Sequence, residues 1–354
     1  MNSDNIVSET FAISGGALVG ANGVASYLDI RDATESRIGA SNTITLTGAL
    51  SITAENSNHL QSLVEGRSGG GLASVGISLN DVRVLTTTFA GIDGAGSLDL
   101  NKTITAASLL VDAYNHETNN LATTAGAGAL GGAIVGVSSR FENRSITNAL
   151  IGNNVKVTAT GVLSLTAEDE QTISSTTSGS AIAGALGIAA NSNTIVMLRG
   201  VKAATGTGVV LSGTGLILDT QLGLNNEDNI ISIANASSGG ALVGANGVTS
   251  TVTVSDQIDS HLGASNTVTL TGAGALVITA ENSNRLQSEA LGRSTGGYAS
   301  VGLSVNTVNL SVDTYAGIDG AASLDLTKVI SAGSMLIEAR DRSISTLNLS
   351  LIHI

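Results

Sequence analysis

Eleven residues, SGGALVGANGV, stand at residues 14–24 and recur letter for letter at residues 238–248. The match extends well beyond them. RIGASNT (37–43) returns as HLGASNT (261–267) at the same offset of 224. A two-residue insertion then makes the offset 226, so that ITAENSN (52–58) recurs at 278–284, AGIDGA (90–95) at 316–321 and SLDL (97–100) at 323–326. Inside this long unit runs a shorter beat. Clusters of small residues begin near Ser14, Ser68, Ala125, Ser178, Ser238 and Ser294, roughly 55 residues apart, a spacing of the kind that marks solenoids, propellers and arrays. About six degenerate copies of one module fill the chain on this reading. Such a module buries its apolar face only when its neighbours stack on it.

The local period is two. In TITLTG, Ile44 and Leu46 alternate with Thr43, Thr45 and Thr47. IGASNTITLTGALSITAEN (38–56) and IGNNVKVTATGVLSLTAED (151–169) share one cadence of alternation closed by Gly and Asn. Alternating β-branched residues with such punctuation predict short strands and tight turns. Composition narrows the choice further. Aromatic residues make up 2% of the chain and charged residues 12%, Pro and Cys are absent, and Gly occurs 44 times. The expected fold is all-β, a parallel β-helix (β-solenoid), with a slender interior of Ala, Val, Ile and Leu and with Ser, Thr and Asn turned to solvent. Glycine is expected to supply turns of positive φ. With roughly 20–28 residues per coil and ~4.8 Å between stacked strands, the body would span on the order of 60–85 Å.

Residues 1–348 read as one continuous solenoid, with a first long unit at 4–227 and a partial second at 228–348. DNI at residues 4–6 matches residues 228–230, so the repeat is already running at the fourth residue, and no secretion signal or capping coil is visible. The expectation is a segment of a longer protein. LSLIHI (349–354) can be encoded by CTGTCTCTTATACACATC, a sequence similar to a transposon end used in library preparation, and is expected to be a non-native tail; a different codon choice in the nucleotides removes that idea.

The net charge of −13 and the lack of any Lys/Arg run disfavour nucleic acid. Without cysteine there is no disulfide framework and no thiolate metal site. The most apolar runs, residues 125–137 and 181–190, are too short and too glycine-rich for a spanning helix. Potential sites weaken under comparison of the two copies. His59 aligns with Arg285, His261 with Arg37 and His116 with Arg342, and arginine serves neither as metal ligand nor as general base. GRSGG (66–70) and GRSTG (292–296) fit the nucleophile-elbow pattern without its strand–turn–helix setting. GAGALG (126–131) lacks a following helix, so it reads as a glycine-rich turn. Asp93 and Asp99, repeated as Asp319 and Asp325, read as turn carboxylates, with calcium as the minority alternative. Asn56, Asn58, Asn282 and Asn284 are expected to form stacked amide ladders at corners. No catalytic, cofactor-binding or metal-binding residue is assigned, and no cofactor is expected.

The strings VISAGSMLIEARD (329–341), TITLTGALSITAEN (43–56) and GGYASVGLSVNTVNLSVDTYAGIDGA (296–321) resemble repeats of giant bacterial filamentous adhesins, in particular leukotoxin-type and haemagglutinin-like exoproteins of type V, two-partner secretion. The resemblance is one of low-complexity style and covers most of residues 4–348. It implies a right-handed β-helical shaft, export through an outer-membrane transporter, and attachment at the surface of a Gram-negative bacterium to a host cell, a neighbouring cell or extracellular matrix. The expected function is therefore a non-enzymatic shaft segment of an adhesin. The alternatives are a solenoid that binds ice, glycan or calcium, and a polysaccharide-active β-helix enzyme. For ice, Thr43, Thr45 and Thr47 are suggestive, but the equivalent Lys156 interrupts the array. End-to-end self-association through open coil edges is a further expectation.

Overall fold

The computed structural model describes residues 4–39, 42–97, 103–223, 228–320 and 329–353. They form three parallel sheets and, among the described residues, no helix. The second sheet stacks six strands, Val19–Ile38, Ala73–Ile92, Gly132–Ile151, Leu186–Thr205, Val243–Leu262 and Ala299–Ile318; they define levels 1 to 6 below. The first sheet faces it with Asp4–Gly16, Leu50–Gly70, Leu109–Ala129 and Val162–Ala183, followed by strands that are each broken in two: Gly215–Leu222 with Asp228–Gly240, Ala275–Asn282 with Asn284–Gly296, and Ser334–Asp341 with Ile344–His353. The third sheet, of strands two to four residues long, closes one end from Ile44–Thr45 to Ile330–Ser331. This is the parallel β-solenoid that the alternation predicts. Residues 349–353 continue the last strand, in register with residues 290–294.

One turn of the solenoid is longer than expected. Val19 pairs with Ala73, Ala73 with Gly132, Gly132 with Leu186, Leu186 with Val243 and Val243 with Ala299, so a level consumes 54–59 residues instead of 20–28. Six levels at ~4.8 Å rise only about 25–30 Å, which corrects the 60–85 Å span. A 20-residue strand runs about 65 Å at ~3.3 Å per residue, so the cross-section is far wider than the stack is tall. The reason lies in the small-residue clusters. Each is a two-residue tip, at residues 17–18, 71–72, 130–131, 184–185, 241–242 and 297–298, where the chain leaves the first sheet and returns in the second. The apolar runs at 125–137 and 181–190 are two of these arches.

SGGALVGANGV is thus an arch, and its glycines answer to crowding. A Cβ on Gly16 would lie 2.1 Å from the carbonyl oxygen of Val19, and one on Gly240 would lie 2.2 Å from that of Val243. Neither glycine has positive φ; among the described glycines only Gly208, Gly223 and Gly272 do. The expectation of left-handed turns is replaced here by close backbone approach.

The interior is not one aliphatic strip. At the three-sheet end lies an apolar cluster that includes Ile52, Ile92, Leu163 and Leu211. A second holds Leu60, Phe141, Ile173 and Met197, and a third, near the arches, is built from Ala127, Val135, Ala181 and Val248. Two polar layers separate them. One contains Asn115, Glu117, Asp169, Arg199 and Asp256, and the other Ser62, Asn80, Ser175, Asn193 and Ser250, all buried. Much of the Ser and Asn expected at the surface is therefore inside.

Gly240→Ala is expected to lower the denaturation free energy by roughly 1–3 kcal/mol, because two carbonyl oxygens, of Val243 and Ala185, occupy the space within 2.5 Å of the added carbon. Urea unfolding followed by circular dichroism measures it, with Gly247→Ala, which meets nothing within 4 Å, as the control.

Candidate functional site

The charged interior layer is a column of hydrogen-bonded groups along the solenoid axis. The Asn56 amide donates to Asn115 Oδ1 (2.8 Å), and the Asn115 amide donates to Asp169 Oδ1 (3.0 Å) and Glu117 Oε1 (3.4 Å). Thr86 and Asn143 also donate to Glu117, and Ser145 and Gln171 to Asp169. At the next levels Arg199 clasps Asp256 through Nε (2.9 Å) and Nη2 (2.8 Å), both side chains being fully buried. Asn284 joins the pair, accepting from Arg199 (2.5 Å) and donating to Asp256 (2.6 Å). Burial raises the Glu117 carboxyl above its usual range, with the Asp169 charge adding to it and the three donors opposing. Burial also raises Asp169, against the Arg199 charge and its hydrogen-bond donors.

Outward from the same strands, the first sheet carries an acidic face. His116 Nδ1 lies 3.1 Å from Glu170 Oε2, the Tyr114 hydroxyl donates to that oxygen at 3.0 Å, and the two rings stack with centroids 6.3 Å apart. Half-buried Glu168 is pushed up to about 7, first by burial and then by the charges of Glu170, Asp112 and Asp219, against the pull of His116. A carboxyl that titrates near neutrality can exchange a proton with a bound molecule. Among the described residues it is the strongest acid–base candidate. Its sequence signal is weak, because Glu55 and Glu281 occupy the same column.

The second sheet's outer face differs from end to end. Over levels 1 to 3 it forms a shallow charged cleft of about 490 Å³. Glu142 is held there by Arg140 (2.9 Å) and Arg144 (2.8 Å), and Asp29 by Arg31 (3.1 Å). Arg83 stands in register between Asp29 and Glu142 with no ion-pair partner among the described residues, next to Asp81 and the exposed ring of Tyr27. Closer to the arches lies an apolar trough of about 450 Å³, floored by Gly136, Ala190 and Gly247 between Ile77 and Leu303. On the third sheet, Thr45, Thr105, Thr158, Ser212, Thr269 and Ser331 stack in one hydroxyl column. The neighbouring column passes through Lys156, Val210 and Thr267, so the hydroxyls run in single file.

The sequence candidates fall into place around these features. Asp93 sits 3.4 Å from Arg37, which also pairs with Glu35 (3.0 Å) and lies 4.1 Å over the Phe89 ring. The second copy rebuilds this cluster with other residues: His261 is 2.6 Å from Asp259 and 3.6 Å from Asp319, beside Tyr315. Hydrogen bonds from His261 and Lys202 hold Asp259 low although burial alone would raise it. Asp99 and Asp325 lie outside the described residues. His59 is exposed. Ser68 and Ser294, in the elbow-like strings, are buried in strands and bonded to Ser74 and Ser238. GAGALG runs from a strand into an arch tip. Asn56 and Asn58 are buried within the unbroken Leu50–Gly70 strand and not at a corner, while Asn282 and Asn284 are buried on either side of the strand break at Ser283. Among the described residues no group of three or more His, Asp or Glu is arranged to hold a metal ion. The alternating ENSN and EDEQ strings carried a signal for the interior chain, but in sequence they look like turns.

No family model matches the chain, and neither a curated protein nor a solved structure shows significant similarity to it.

Two outcomes follow from this geometry. Arg199→Met leaves Asp256 buried without its countercharge and is expected to cost about 3–5 kcal/mol, while Arg199→Met with Asp256→Val recovers most of that loss in the same urea titration. Glu168 binds its proton more tightly when folded, from the usual 4.5 up to about 7, so its share of stability is full below that lower value and is lost as pH rises to the upper one. Glu168→Gln is expected to raise the melting temperature by roughly 1–3 °C at pH 8 and to leave it unchanged at pH 4.

Proposed function

We propose that this chain is a non-catalytic shaft segment of a secreted or surface-attached bacterial adhesin. It acts outside the cell, at the outer membrane of a Gram-negative bacterium, after export through an outer-membrane transporter, and it contacts a host cell, a neighbouring cell or extracellular matrix. The observation that carries this reading is the uninterrupted parallel ladder. Every level repeats a 20-residue second-sheet strand entered through a two-residue arch, which gives a stiff body whose broad outer faces are free to differ. The style of the repeats, similar to filamentous exoproteins, supports the same assignment. The charged cleft around Arg83 and Tyr27 supplies a contact face suited to polar surface groups.

A second reading, a polysaccharide-active solenoid, is favoured by Glu168 alone. Turnover of acidic and neutral polysaccharides that disappears in Glu168→Gln supports it; its absence in the unmodified chain removes it.

Polystyrene beads coated with the chain are expected to adhere to epithelial monolayers or matrix-coated wells, saturably and in competition with soluble chain. Tyr27→Ala with Arg83→Ala is expected to reduce adhesion several-fold at unchanged melting temperature. Adhesion no greater than that of albumin-coated beads overturns the proposal.

A further inference from the structure

The internal duplication makes level 1 and level 5 two versions of one surface, with three levels between them in the stack. Their second-sheet strands, Val19–Ile38 and Val243–Leu262, correspond residue for residue. At the inward positions Val24 matches Val248, Ser26 matches Ser250, Asp32 matches Asp256 and Ser36 matches Ser260, Leu28 and Ile30 are replaced by valines, and Thr34 is replaced by Ile258. The difference lies in what covers them. Level 5 is sandwiched between levels 4 and 6, whereas Val19–Ile38 ends its sheet and pairs only with Ala73–Ile92. Ile230, Val252 and Val254 are buried at level 5, and the equivalent Ile6, Leu28 and Ile30 only partly so.

Charge separates the two levels. Asp256 accepts from Asn284 on one side and from Arg199 of level 4 on the other. Asp32 accepts from Asn58 (3.3 Å), the counterpart of Asn284, and has no arginine on its other side among the described residues. We propose that the open edge of level 1 is a docking surface for a parallel β-coil of the level-4 kind, carrying an arginine in register with Asp32. The expected neighbour is a strand like Leu186–Thr205, its Leu186 opposite Val19 as it is now opposite Val243, which sets Arg199 against Asp32.

A second copy of the chain is the wrong occupant. Its free second-sheet edge is Ala299–Ile318, where Val312 stands in the register of Asp256. Head-to-tail stacking therefore lays a valine over Asp32 and buries a carboxylate with no countercharge, which costs several-fold or more in affinity. This proposal rests on the solenoid and the internal duplication and is independent of the attachment reading.

The test adds a labelled synthetic peptide, LGIAANSNTIVMLRGVKAAT, to the intact chain and reads fluorescence anisotropy together with amide hydrogen exchange. The expected result is saturable binding with new protection confined to the Val19–Ile38 strand. The Arg199→Met peptide is expected to bind at least ~30-fold more weakly, and a chain with Asp32→Asn to bind the two peptides alike. The peptide substitution leaves the chain untouched, so the comparison holds even where Asp32→Asn perturbs folding. Equal binding of the two peptides, protection elsewhere, no binding, or head-to-tail dimers of the chain alone in sedimentation would each overturn the proposal.

Discussion

In a parallel ladder every side chain rests on its counterpart from the turn before, ~4.8 Å away. That constraint governs the rest of this molecule. An apolar residue stacked on an apolar residue extends a cluster, as Leu163, Leu216 and Leu276 do. A buried polar residue obliges its upper and lower neighbours to answer it, because an unpaired group in the interior costs about 1–3 kcal/mol and an unpaired charge more. The chain from Asn56 through Asn115 and Asp169 is that obligation met level after level. Where the pattern lapses the cost is visible: Asn119 falls in the column of Leu60 and Ile173, and its amide nitrogen has no partner.

The polar layers also fix register. Ladder hydrogen bonds alone do not distinguish one alignment from another two residues away, since a slip of two keeps every side chain on its own face. Such a slip would move Arg199 from Asp256 onto Val254 or Ile258, both buried, and strand two charges at once. The Ser62–Asn80 and Ser250–Ser288 bonds add lighter penalties of the same kind in the second layer. Apolar clusters supply most of the driving force for collapse, and the polar layers select which collapsed arrangement persists.

The sequence makes this logic only partly legible. Period-two alternation and the duplicated unit lead directly to stacked parallel strands. They do not say where a strand ends. ITAENSN (52–58) looks like a strand running into a turn because Glu, Asn and Ser punctuate it, yet it lies within the Leu50–Gly70 strand with Asn56 and Asn58 turned inward. Interior polar residues therefore imitate corners, and imitation corners shorten the inferred coil. The opposite error occurs at SGGALVG, where Gly16 suggests a left-handed turn but yields to a carbonyl oxygen pressed against it. Sites are harder still to read, since the Arg37–Asp93 and His261–Asp319 clusters join residues 56 and 58 positions apart, one level away in the fold and remote in the chain.

The duplicated levels separate what the fold requires from what it leaves open. Between Val19–Ile38 and Val243–Leu262 the inward Val, Ser and Asp positions persist, while outward Tyr27, Asp29, Arg31 and Ala33 become Thr251, Thr253, Ser255 and Gln257. Rewriting one face of a strand without disturbing the other is possible because successive side chains point to opposite sides of the sheet. The same scaffold thus presents a charged cleft at its first levels and, in the same columns of level 5, the uncharged Thr251, Thr253, Ser255 and Gln257. In the attachment role proposed above, that independence would let recognition change level by level while stability stays with the interior.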